Sequence, residues 1–168
     1  MPKKSVKQDK SFYWIAREEA GLTRAEASEK LQTISESRLE KLENGTTQIL
    51  PEDVLAMEKA YNKPGLCNHY CAEDCPIGQE YVPSVKVKDL SQIVIEMLAT
   101  LNALNRQRER LIDITEDGVI DEEELADFVT IQDKLEKISI VSSTLKLWVD
   151  HTVASGKIEK NKIDALRN

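Results

Sequence analysis

Three cysteines and a histidine lie close together near the middle of the chain: Cys67, His69, Cys71 and Cys75. Three thiolates and one imidazole can complete a tetrahedral zinc site. The cysteines are spaced four residues apart, however, and lack the paired two-residue knuckles of common zinc motifs. On a helix this spacing places the thiols on one stripe, which suits small buried side chains. We therefore predict structural packing, with metal binding or redox chemistry at these four residues as the alternative.

An acidic segment further along resembles the calcium loop of an EF-hand. Its matching positions are Asp113, Asp117, Gly118, Asp121 and Glu124, which correspond to loop positions 1, 5, 6, 9 and 12. A threonine replaces the usual Asp or Asn at position 3, and no second loop follows. The same residues can end one helix at the glycine and begin the next with a capping pair of Asp121 and Glu124. We predict a structural turn, with calcium binding as the alternative.

No catalytic constellation is recognisable. The two histidines, His69 and His151, stand apart from any nucleophile motif, and no phosphate loop, nucleophile elbow or zincin signature is present. We predict that the protein is not an enzyme and that it requires no cofactor.

Composition and charge set the class of protein. Of 168 residues, 40% are hydrophobic and 32% charged, with two Phe and two Trp, which favours helices packed through aliphatic side chains. No apolar run is long enough for a membrane span, and the basic first residues are followed by polar residues rather than by the apolar stretch of a signal peptide, so we expect a cytoplasmic protein. Residues 1–66 are electrically neutral, whereas residues 67–168 carry the whole net charge of −7. The N-terminal part can therefore approach a phosphate backbone.

Four short helices are predicted in the N-terminal part. Thr23 and Glu26 have capping-box spacing, and Asn44-Gly45 suits a left-handed helix end. The predicted ranges are Ser11–Ala20, Arg24–Leu31, Ser35–Glu43 and Pro51–Tyr61.

Two long helices are predicted in the C-terminal part, over residues 88–112 and from Asp121 to about 149. Coiled-coil spacing defines a seam of Leu90, Val94, Met97, Leu101, Leu104 and Leu111 against Phe128, Ile131, Leu135, Ile138, Ser142, Leu145 and Val149. Joined by a short turn, the helices should form an antiparallel hairpin. Further apolar residues outside this seam predict a partner surface: Ile93, Leu98, Val141, Leu147 and Trp148.

The segments Leu22 to Glu26, Leu31 to Ser35 and Leu39 to Gly45 resemble the Xre/Cro family of helix-turn-helix domains. The turn at residues 32–34 is one residue longer than the usual Gly-apolar pair. The resemblance implies a bundle of about five helices whose third helix enters the major groove. It implies base contacts by Ser35, Glu36, Ser37 and Arg38, and phosphate contacts by Arg24, Lys41, Asn44, Thr46 and Thr47.

We therefore predict an all-α protein with a helix-turn-helix domain of four to five helices (8–66), a cysteine-containing connector (67–84) and a long antiparallel helical hairpin (85–168). The predicted function is sequence-specific transcription regulation, with double-stranded DNA as partner and a homodimer formed through the hairpin. The alternative is a protein-interaction adaptor that uses the acidic hairpin. The reason for this alternative is the acidic third helix, in which Glu40 and Glu43 would oppose the phosphate field.

Overall fold

The computed structural model describes residues 10–116 and 118–167, which form helices and contain no strand. This confirms the predicted all-α class. The chain divides into two compact units, one comprising residues up to 84 together with those from 150 onward, the other comprising residues 85–149. Residues 67–84 and 150 onward thus group with the N-terminal bundle, and the three domains at 8–66, 67–84 and 85–168 stay predictions.

The first unit is built from short helices in chain order. They are α1 (Phe12–Glu19), α2 (Arg24–Leu31), α3 (Glu36–Glu43), α4 (Pro51–Tyr61), α5 (Leu66–His69), a π-helical turn (Tyr70–Asp74), α6 (Pro76–Tyr81) and, after the second unit, α10 (Lys160–Arg167).

The ends of α1 to α4 follow from local capping, and the predicted capping box at the start of α2 is confirmed. The Ser11 hydroxyl accepts a hydrogen bond from the Trp14 amide at the start of α1, and Thr23 with Glu26 forms a complete capping box at the start of α2. Gly21, with φ of +73°, ends α1 because glycine adopts the left-handed conformation without steric cost. Pro51 occupies the first turn of α4, where its missing amide proton is not needed.

The core of the first unit is aliphatic, with two tyrosines. Its buried side chains are Tyr13, Ala16, Ala27, Leu31, Ile34, Leu39, Leu42, Val54, Met57, Tyr61 and Leu66. Leu39 and Leu42 come from α3 and attach its inner face to the bundle, so the opposite face of α3 is left outside.

The turn between α2 and α3 contains one extra residue but still holds the start of α3 against the core. Gln32 absorbs the insertion by adopting a φ of +58°, which is uncommon for a residue other than glycine. The Ser28 hydroxyl then donates to the carbonyl of Ile34 at 2.8 Å, and the Ile34 side chain lies in the core with 1% of its surface exposed. The turn thus places Ser35 at the start of α3.

The second unit contains α7 (Leu90–Asn105), α8 (Arg108–Ile114) and the greater part of α9 (Leu125–Ala154). The prediction of one helix over 88–112 is wrong, because a turn interrupts the helix between Asn105 and Arg108. In this turn the Gln107 amide donates to the carbonyl of Leu104, three residues back, instead of four. Helix α9 also begins later than predicted, after a turn over residues 122–124. Arg110 donates to Asp127 at 2.6 Å and joins α8 to the start of α9.

The predicted division of the apolar residues into a seam and a partner surface is only partly right. Of the residues placed outside the seam, three are buried and one, Leu98, is exposed as predicted; the buried ones are Ile93, Val141 and Leu147. Of the predicted seam residues, Ile131 is buried, whereas several others are exposed: Leu90, Val94, Leu101 and Leu135. The reason is that these aliphatic-rich helices contain two stripes with similar three- and four-residue spacing, so that spacing alone does not decide which residues packing buries.

Candidate nucleic-acid interface

Helix α3 presents a polar outer face. Ser35, Glu36, Ser37 and Lys41 are exposed, and Arg38 is half-buried. The Ser35 hydroxyl caps the helix by accepting from the Arg38 amide at 3.3 Å. The face therefore offers hydroxyl, carboxylate, ammonium and guanidinium groups within about two helical turns, the kinds of group that read base edges or bind phosphates.

The C-terminal end of α3 is closed by a left-handed glycine. Gly45 has a φ of +68°, and the Thr46 amide donates to the Lys41 carbonyl at 2.9 Å while the Gly45 amide donates to Leu42 at 3.1 Å. This is the Schellman arrangement. The Thr46 hydroxyl also reaches the Lys41 carbonyl, at 3.1 Å. Asn44 and Thr46 are exposed and Thr47 is half-buried, so these predicted phosphate-binding residues lie together at one end of α3.

A buried ion pair joins α1 to α3. Glu43 has no exposed side-chain surface, and its carboxylate accepts from Arg17 Nε at 2.5 Å and from Nη2 at 2.9 Å. Arg17 Nη1 donates to the Leu22 carbonyl at 2.7 Å. Burial opposes the charge of Arg17, but the hydrogen bond to Glu43 and the charge of Glu43 raise the pKa of Arg17 above its usual value. The expectation that Glu43 opposes the phosphate field is wrong, because its charge is neutralised inside the bundle.

Arg24 is the third member of this cluster. Its Nε donates to Glu43 at 2.8 Å and its Nη1 lies 3.4 Å from Glu40 on the outer side of α3. The guanidinium also stacks over Trp14, 4.6 Å from the ring centroid. Its side chain is 23% exposed. Arg24 thus lies between α2 and α3 and contacts both glutamates and the Trp14 ring. Its phosphate contact stays a prediction.

Arg38 pairs with a residue that the sequence did not single out. Arg38 Nη2 donates to Asp53 Oδ2 at 2.6 Å, and the same oxygen accepts from the Leu50 amide at 3.1 Å. Asp53 thereby closes the start of α4 and contacts the one arginine of α3. No local spacing could have revealed the pair, since the two residues are 15 positions apart on different helices.

The cysteine segment packs against α1 and α4. The rings of Phe12 and His69 are stacked, with centroids 3.9 Å apart and planes at 23°. Cys67, Cys71 and Cys75 are free and partly buried. Burial, with a contribution from Glu58, raises the pKa of the Cys67 thiol to about 12, which favours the neutral thiol over the thiolate that a metal requires.

No group of three or more His, Cys, Asp or Glu side chains within residues 10–116 and 118–167 is arranged to hold a metal ion. Both the packing role and the alternative zinc site at Cys67, His69, Cys71 and Cys75 stay predictions.

The last residues of the acidic segment 113–124 form capping hydrogen bonds just before α9. Asp121 Oδ1 accepts from the amides of Glu123 and Glu124 at 2.8 and 2.9 Å, and the Glu124 carboxylate lies 3.5 Å from the Asp121 amide. This geometry is the capping pair that the sequence suggested. Asp117, a ligand in the alternative calcium site, lies outside the described residues, and calcium binding stays an alternative prediction.

The first unit therefore has the arrangement of a helix-turn-helix domain, with α2 and α3 joined by a short turn and α3 presenting a polar face. Residues 15–65 match a family model described as helix-turn-helix, of the Xre/Cro type. No curated protein and no solved structure matches the chain. The matched family consists of DNA-binding regulators. None of the helices in the described ranges has both the length and the apolar character that crossing a bilayer requires.

Proposed function

We propose that the protein is a sequence-specific regulator of transcription that inserts α3 into the major groove of double-stranded DNA. The observation that carries the proposal is the exposed polar face of α3 within a helix-turn-helix arrangement. In this orientation Ser35, Glu36, Ser37 and Arg38 contact base edges. Arg24, Lys41, Asn44, Thr46 and Thr47 contact the phosphates beside the groove.

The charges of the interface are compatible with this role once the buried carboxylate is set aside. Glu43 is neutralised by Arg17 and Arg24, so Glu36 and Glu40 remain as the exposed acids of α3. A carboxylate can accept a hydrogen bond from a cytosine amino group. The exposed serine hydroxyls can form hydrogen bonds with DNA without adding negative charge to the interface.

A charge placed on the outer face of α3 tests the proposal. We expect the wild type to retain a family of related sequences from a random duplex pool in a mobility shift at low salt. Ser37→Glu should weaken that binding by about tenfold or more, because it sets a carboxylate against the phosphate field. Ser139→Glu is the matched control, because it makes the same change at an exposed position of α9. Failure of the wild type to enrich any sequence would refute DNA recognition.

We further propose that the second unit pairs two copies of the chain. Helix α7 exposes Leu90, Val94, Leu98 and Leu101 on one side, and Glu96 is its single charged residue. Two such nearly uncharged faces can approach each other without repulsion, whereas the acidic remainder of residues 67–168 would oppose association. A dimer would present two recognition helices to half-sites about one helical turn apart.

Self-association through this face is testable with one substitution. Leu98 is 54% exposed, so Leu98→Glu should leave the monomer folded. It should weaken dimerisation about 100-fold, roughly 3 kcal/mol, because each subunit would bury a carboxylate. Sedimentation equilibrium of the full chain measures the change, and Gln92→Glu, at an exposed polar position of the same helix, is the control. A wild type that remains monomeric at millimolar concentration would contradict the dimer.

A second candidate is the protein-interaction adaptor, which one observation favours. Arg24 and Arg38 are both held by carboxylates, of Glu40, Glu43 and Asp53, so the outer face of α3 is largely neutralised within the unit. An adaptor would show weak DNA binding without sequence preference at low salt, whereas a regulator retains preferred duplexes as the salt concentration rises.

A further inference from the structure

The pairing of Arg38 with Asp53 places a fixed carboxylate behind the proposed base-reading side chain. The carboxylate of Asp53 is 12% exposed and the side chain of Arg38 is 36% exposed. The Leu50 amide holds the same oxygen that contacts the guanidinium. The acceptor is therefore anchored to the backbone of α4, whereas the guanidinium keeps a surface toward solvent.

The chemistry of this contact separates two modes of DNA binding. A guanidinium has five N–H donors in a planar fork, and Asp53 engages one of its three nitrogens. The remaining edge of the fork is then held in one plane, as a bidentate contact with guanine O6 and N7 requires. At the same time the carboxylate offsets the positive charge, which reduces what Arg38 gains from any phosphate.

We propose that Asp53 is a specificity-determining residue that orients Arg38 toward a base edge and suppresses its contacts with phosphates. Phosphate contacts carry no sequence information, so suppressing them raises the ratio of selected to unselected binding. The inference rests on the proposed DNA-binding function and adds to it a residue outside the recognition helix.

The test compares two charge-removing variants at adjacent positions of α4 in the full-length protein. Asp53→Asn keeps an amide oxygen for the Leu50 amide but removes the charge beside Arg38. Glu52→Gln makes the same change in net charge at an exposed neighbouring position. Each protein is titrated, over a series of salt concentrations, against a duplex selected by the wild type and a scrambled duplex of equal length.

We expect Asp53→Asn to bind the scrambled duplex about three- to tenfold more tightly and to steepen the log–log salt dependence by about one unit, the equivalent of one added phosphate contact. The ratio of selected to scrambled affinity should fall about tenfold, because the guanidinium is no longer oriented. Glu52→Gln should leave that ratio unchanged. Thermal unfolding followed by circular dichroism checks that both variants remain folded.

Three results would overturn the inference. In the first, Asp53→Asn and Glu52→Gln have the same ratio of affinities, which leaves the proposed function intact. In the second, Asp53→Asn still changes the ratio in an Arg38→Ala background, which means that Asp53 does not act through Arg38. In the third, the wild type does not prefer any duplex, which removes the proposed function together with this inference.

Discussion

Replacing Glu43 by leucine should destabilise the first unit by about 3–5 kcal/mol, because the substitution leaves the Arg17 guanidinium buried without its partner. Arg17 is 5% exposed and Glu43 2% exposed, so water cannot take the place of the missing carboxylate. Urea unfolding of the full chain, followed by Trp14 fluorescence in a Trp148→Phe background, measures the loss.

Two further variants separate the ion pair from other effects. Glu40→Leu changes an exposed glutamate of the same helix and should alter stability by less than about 1 kcal/mol. Arg17→Met combined with Glu43→Leu removes both charges and should recover most of the stability, because a buried pair can be replaced by apolar side chains at little cost. Equal effects of Glu43→Leu and Glu40→Leu would contradict the role of the pair.

Gly78→Ala should destabilise the protein by about 2–3 kcal/mol, because the new methyl group has no space. A Cβ at position 78 would overlap the backbone carbonyl group of Cys71, and backbone atoms cannot move aside as the end of a flexible side chain can. Helix α6 and the π-helical turn would have to separate. The midpoint of thermal unfolding should fall accordingly.

The matched control for this prediction is Glu80→Ala, on the exposed side of the same helix. Because alanine is a good helix former, this variant should unfold within about two degrees of the wild type. If Gly78→Ala were as stable as Glu80→Ala, the close approach of α6 to the π-helical turn would be disproved.

The sequence predicted α1 to α4 well because their ends are determined locally. Ser11, Thr23 with Glu26, and Asn44-Gly45 satisfy backbone groups within a few residues of themselves, so no distant contact is needed to place them. The same holds for the capping pair of Asp121 and Glu124. The packing of residues 67–84 could not be predicted in this way, since it depends on His69 stacking with Phe12, far away in sequence.

The faces of α7 and α9 could not be assigned from spacing. In α7 the exposed Leu90 and Val94 lie beside the fully buried Ile93, and both sets have helical periodicity. Which stripe is buried depends on volumes and contacts that form only when the unit is assembled. The amphipathic character of the second unit was therefore predictable, whereas its orientation was not.

The buried ion pair of the candidate site could have been predicted from the sequence pattern. Tyr13, Ala16 and Arg17 share one stripe of α1, and Leu39, Leu42 and Glu43 share one stripe of α3. Opposite charges at core positions of two helices predict a pair. The contact of Arg38 with Asp53 left no such signal, because both residues occupy polar surroundings in the sequence.

The sharing of one carboxylate by Arg17 and Arg24 has an evolutionary consequence. A change at position 43 alone strands two cations, and loss of Arg17 alone leaves an anion inside the bundle with only a half-buried partner. Neutral drift at these three positions is therefore expected to proceed by coupled replacement rather than by independent steps. Among descendants of this chain the three residues should covary, and an apolar side chain at position 43 should be accompanied by an apolar one at position 17.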